Sequence, residues 1–111
     1  MIEAAILTAV DNALKEEPAT LLCSDLALPD LIAGIRAATT EFVLLLVLPT
    51  TPELDRAMLL AAIAPLAAER APGHRICALD IKAGATVANI VATAQFLARA
   101  GSTTGQVIAV S

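Results

Sequence analysis

The chain has 111 residues, enough for one domain and one modest core. Hydrophobic residues make up 58% and charged residues 16%, which argues against disorder. A net charge of −4, no basic patch and only Phe42 and Phe96 as aromatics leave nothing to grip phosphates or stack bases, so nucleic acid is not an expected partner.

Met1 to Glu16 is predicted as an amphipathic helix. Ile2, Ala5, Ile6, Ala9, Val10, Ala13 and Leu14 form its apolar side, and Glu3, Asp11, Asn12 and Lys15 its wet side. Glu17-Pro18 ends it. A short strand is expected from Ala19 to Asp25, then a helix from Pro29 to about Ala38. Phe42 to Leu48 is seven apolar residues with no alternation, the pattern of a strand covered on both faces. Thr51 is placed to cap the next helix, with Pro52 at its first position. That helix runs from about Glu53 to Arg70, Pro65 is expected to kink it, and Ala71-Pro72-Gly73 stops it. Arg75 to Asp80 is the third strand, and Lys82-Ala83-Gly84 a turn. Thr86 is predicted to cap a helix to about Arg99, with Val87, Ile90, Val91, Ala94, Leu97 and Ala98 inward. Gln106 to Val110 is the last strand.

Strands joined by helical crossovers are parallel. The expected architecture is therefore a single α/β domain over residues 1–111: three layers, with a four-stranded parallel sheet and helices on both faces. The helix at Glu53–Arg70 has an unusual pattern. Ala57, Ala61, Ala64 and Ala68 share one narrow stripe, flanked by Leu59, Leu60, Ile63 and Leu66, with Met58 and Leu54 filling much of the rest. No charged or hydrogen-bonding side chain occurs from Ala57 to Ala68. A helix on one side of a lone sheet needs a polar outer face, so an oligomer interface is expected at Ala57, Met58, Ala61, Ile63, Ala64, Leu66 and Ala68. The same run is twelve residues, too short to span a bilayer, and no membrane partner is expected. The start Met1-Ile2-Glu3 carries an acid rather than the basic opening of a secretory signal, which makes cytoplasm the expected location. Cys23 and Cys77 fall in strands about two spacings of ~4.8 Å apart, too far for a disulfide, so free buried thiols are expected.

The second half resembles the short-chain dehydrogenase/reductase superfamily. The residues that carry this are Ala94-Gln95-Phe96-Leu97-Ala98 followed by Thr104-Gly105-Gln106-Val107-Ile108-Ala109-Val110. In that family a helix ending in Phe-Leu-Ala precedes Thr-Gly-Gln and the last strand. Leu66-Ala67-Ala68-Glu69-Arg70-Ala71-Pro72-Gly73-His74-Arg75-Ile76 is similar to the end of the family's active-site helix and the next strand. The resemblance covers roughly Pro52 to Val110 and implies a Rossmann-like half-fold. It also implies that the helix at Glu53–Arg70 and the one before it pack against their copies in a partner subunit.

The departures are as informative. The family holds a dinucleotide on a Gly-rich turn, and no Gly-x-x-x-Gly-x-Gly occurs here. Its catalytic Tyr and Lys fall on Pro52 and Arg56, and the chain contains no tyrosine. Near its catalytic Ser stand only Thr50 and Thr51. Catalytic residues are therefore not expected, and NAD(P) has no motif to hold it. The chain reads as a truncated, non-catalytic relative whose partner is a second copy or a full-length dehydrogenase. The alternative is a small module binding NAD(P) or a phosphate ligand, with Thr50, Thr51 and Arg56 as holders at the C-terminal ends of the strands, near Asp25 and Asp80. His74, the only histidine, is expected to play a strand-start role, and no ligand spacing for a metal is present.

Overall fold

The computed structural model describes residues 2–111, with side chains described from Ala4 onward. The expected places of Met1, and of Ile2 and Glu3 on the two sides of the first helix, lie outside the described side chains. The elements in order are α1 (Ile2–Ala13), β1 (Ala19–Cys23), α2 (Leu28–Ala37), β2 (Phe42–Val47), α3 (Glu53–Arg70), β3 (Arg75–Ile81), α4 (Val87–Arg99) and β4 (Val107–Val110). The four strands form one all-parallel sheet in chain order, β1-β2-β3-β4. This is the α/β half-fold expected.

The apolar strands explain the layering. β2 and β3 are buried along their whole length. Alternate residues therefore feed two separate cores. Phe42, Leu44 and Leu46 of β2, with Cys77, Leu79 and Ile81 of β3, pack under α1 and α4. Val43, Leu45 and Val47, with Ile76 and Ala78, pack under α2 and α3. Each leucine buried this fully contributes roughly 1.5–3 kcal/mol. On α1, Ile6, Val10 and Leu14 are buried, with Leu7 packed on one flank of that stripe, while Ala5, expected inward, lies on the far side of the helix and is exposed. On α4, Ile90, Ala94, Leu97 and Ala98 point in. Val87 does not: it is 39% exposed, and Ala88 and Asn89 beside it in the first turn are exposed too.

Turn chemistry sets the ends. Thr86 caps α4 as expected, its Oγ1 accepting from Asn89 N at 3.1 Å. Thr51 does not cap α3. Pro52 takes the cap position without a side-chain bond, and the Thr51 hydroxyl is drawn to Ser24 instead. Gly84 and Gly105 hold φ of +88° and +74°, which other residues rarely adopt. Pro65 lies inside the unbroken α3. Both it and Ala61, whose carbonyl loses its partner, are exposed to water. Cys23 and Cys77 are free and buried, separated by β2. Burial pushes both thiols above their ordinary pKa.

α3 corrects the expected interface in part. Ile63 and Leu66, placed on it from sequence, turn inward with Leu59 and Ala67 and belong to the core under α2 and α3. Leu59, Ile63 and Leu66 follow one another at spacings of four and three residues, which keeps them on one side of the helix, the inward one. Ala57, Met58, Ala61, Ala64 and Ala68 are exposed in the single chain.

Candidate functional site

The sheet's C-terminal rim is where a parallel sheet offers a crevice. It is closed by two sets of side-chain contacts. Ser24, one step past β1, donates its backbone N–H to Leu46 O at 2.9 Å. Its hydroxyl accepts from Leu48 N at 2.8 Å and is hydrogen-bonded to Thr51 Oγ1 at 2.7 Å. Thr51 N in turn donates to Leu48 O at 3.0 Å. The end of β1 is thus bolted to the loop that opens α3.

Arg56 and Asp80 form the second set. One Nη of Arg56 pairs with Asp80 Oδ1, and the other donates to Leu48 O at 2.8 Å. The two side chains are only 12% and 9% exposed. Lys82 Nζ closes on the second Asp80 oxygen at 2.8 Å. A buried carboxylate needs such partners, and two cations satisfy both of its oxygens.

The sequence-predicted holders therefore divide. Thr51 and Arg56 are at the rim, but each is committed to a neighbour. Thr50 is exposed at the loop tip. Asp25 is exposed in the turn after β1, whereas Asp80 is buried within β3. Ser24 and Lys82 were missed. Each follows the last residues of a strand at the ligand-binding edge, and that position was the available signal. His74 lies at the opposite edge, with Nδ1 2.8 Å from Thr40 O, far along the strand from Asp80. Among the described residues no group of three or more His, Cys, Asp or Glu is placed to hold a metal. No described helix is long and apolar enough to cross a membrane.

The residues at the rim do not fit a dinucleotide pyrophosphate. The helix after β1 starts at Leu28-Pro29-Asp30: Pro29 has no N–H to give, and Asp30 repels an anion. The next helix start carries Glu53 and Asp55.

The Thr-Gly-Gln stretch has a structural task. Thr104 Oγ1 accepts from Ile76 N at 3.0 Å, Gly105 N donates to Ile76 O at 2.7 Å, and Gln106 O accepts from Ala78 N at 2.9 Å. These three residues lead β4 into register on β3. Residues 24–110 match the family model for short chain dehydrogenase-like proteins. The chain belongs to that family. No curated protein and no solved structure matches it. Within this short chain dehydrogenase-like framework, one further residue matters that sequence reasoning missed. Arg75, 7% exposed, donates to the carbonyls of Leu97 (3.1 Å), Ala98 (2.9 Å) and Ala100 (2.9 Å) at the end of α4. It also pairs with Glu41 at 3.2 Å and lies 4.6 Å over the Phe42 ring. A cation at a helix C-terminus meets the negative end of its dipole. Arg75 thus ties the end of α4 to the start of β3, as Arg56 and Lys82 tie the other end of the sheet at Asp80.

Proposed function

We propose that this short chain dehydrogenase-like protein is a non-catalytic assembly module, joined through the outer face of α3 to a second copy of itself. The observation that carries this reading is the stretch from Ala57 to Ala68, which has no polar side chain and whose outward residues meet water in the single chain. Ala57, Ala61, Ala64 and Ala68 are spaced four, three and four residues apart, a palindrome about the midpoint between Ala61 and Ala64. A two-fold axis through that midpoint sets Ala57 against Ala68 and Ala61 against Ala64 of an antiparallel partner helix. Small side chains let the two backbones approach closely, and an isologous contact requires such self-complementarity. A full-length dehydrogenase presenting a matching helix fits the same face. The non-catalytic half of the reading rests on Pro52 and Arg56 standing where the family's Tyr and Lys fall. It rests also on the commitment of Arg56 to Asp80.

Ala61→Glu tests it. A carboxylate in a packed apolar seam lacks a partner and drives the copies apart. The control is Ala92→Glu, on the exposed side of α4. Light scattering is expected to show a drop to monomer mass for Ala61→Glu and no change for Ala92→Glu. Equal masses for both variants and the parent protein would overturn the proposal.

A further inference from the structure

An apolar pocket of about 420 Å³ opens between the first turns of α2 and α3. Leu26, Leu28, Met58 and Leu59 line it, with Asp55 on its wall. Leu26 and Met58 are 47% and 45% exposed, and Leu54, one turn before Met58 on the same side of α3, is 72% exposed. Three of the six large hydrophobic side chains left exposed among the described residues thus gather at one corner. Asp55 lines the pocket, and Asp25, Asp30 and Glu53 are the chain neighbours of Leu26, Pro29 and Leu54. All four are exposed, and none joins an ion pair among the described residues. Arg56, next in sequence, is turned away onto Asp80 and Leu48 O.

We propose that this corner docks a segment of another protein in which an apolar anchor is flanked by lysine or arginine. Exposed apolar side chains continue past the pocket lining to Leu54, one turn along α3, so a chain segment can make contacts beyond the anchor. The pocket takes the anchor, and the uncompensated carboxylates face the flanking cations. Charge of one sign around an apolar centre steers such a segment in and fixes its orientation. A basic amphipathic helix laid across the starts of α2 and α3 presents both features together. The pocket itself opens at the start of α2 and α3, but Leu54 lies three residues before Ala57 and seven before Ala61, on the alanine stripe's own side of α3, so the two readings share part of one surface and the variants below separate them. Met58 borders both.

The probe is a short synthetic Leu/Lys amphipathic peptide, titrated by calorimetry beside its Leu/Glu counterpart. The Leu/Lys peptide is expected to bind saturably and the Leu/Glu peptide not to bind. Leu26→Asp separates docking from bulk charge. It adds a negative charge, so simple attraction predicts tighter binding. Loss of the apolar rim predicts binding weaker by about tenfold or more. Asp55→Asn is expected to weaken binding, and Asp11→Asn, on the exposed side of α1, to leave it unchanged. Thermal melting checks that each variant folds, and Asp55→Asn decides the matter if Leu26→Asp does not. Tighter or unchanged binding by Leu26→Asp, or equal losses in the two asparagine variants, would overturn the docking site. So would binding that appears only in Ala61→Glu, since a second copy would then be the occupant. That last result would leave the assembly reading standing, whereas docking by a wild-type monomer would remove assembly and keep the site.

Discussion

The two helical layers bury the same sheet but finish differently on the outside. The outer side of α1 and α4 carries Asp11, Asn12, Asn89 and Arg99 among apolar residues that include the exposed Phe96, so polar groups interrupt it along its length. The outer side of α3 carries Ala57, Met58, Ala61, Ala64 and Ala68. The first layer is also tied down by a buried cation, Arg75, at the end of α4. The second is held by apolar packing, by Arg70 of α3 donating to the Ala38 carbonyl at the end of α2, and by the exposed Arg36–Glu69 pair, bidentate at 2.8 Å for both bonds. A side chain on α3 therefore has one of two consequences, depending on which way it points. Inward residues set the stability of the chain, and outward ones set what it meets.

The sharpest contrast lies within α3 itself. Ile63→Ala opens a cavity under the helix and is expected to cost about 2–5 kcal/mol in urea unfolding, with the assembly mass unchanged. Ala61→Glu, two positions away, is expected to do the reverse, changing mass before stability. If Ile63→Ala alone dissociates the protein, inner and outer faces are not separable.

Arg75→Ala probes the other layer. It leaves three helix-end carbonyls at the base of α4 short of a donor, and is expected to cost about 2–4 kcal/mol. Amide exchange should rise first in the last turn of α4 and little in α2. Uniform exchange across both layers would show that Arg75 is not a local anchor.

The smallest effect belongs to the Arg36–Glu69 pair. The hydrogen bond from Arg36 holds the Glu69 carboxyl below its ordinary value of 4.5. A carboxylate whose folded pKa is depressed stabilises the fold above its unfolded pKa, and that contribution fades as pH falls through the folded value. The difference in melting temperature between the parent protein and Glu69→Gln is thus expected to narrow below about pH 4.5. It should also shrink with added salt, because both side chains are about half exposed.

The comparison also explains what the sequence could disclose. Uninterrupted apolar runs such as Phe42–Val47 admit little except a strand covered on both faces, and Pro18, Pro29 and Gly73 punctuate the helices between them. Element order and sheet type follow from those local patterns. Thr51 was misread as a cap because its choice of Ser24 depends on how β1 and β2 lie side by side, a distant contact that no window reveals. The same is true of Arg75, whose partners come from the far end of α4, and of Arg56, whose guanidinium is drawn to Asp80. The sequence places Ile63 and Leu66 outward because every position from Ala57 to Ala68 is apolar, so periodicity alone cannot tell the two sides of that stretch apart. Leu26 passed unnoticed, since one leucine in a turn means little until Met58 and Leu54 are brought beside it.

The mass of the unmodified protein in solution tests the central claim most directly. Sedimentation equilibrium over a range of concentrations is expected to give at least twice the 11.3 kDa of one chain. A particle that stays at 11.3 kDa at every concentration, with its α3 alanines open to water, would contradict the account.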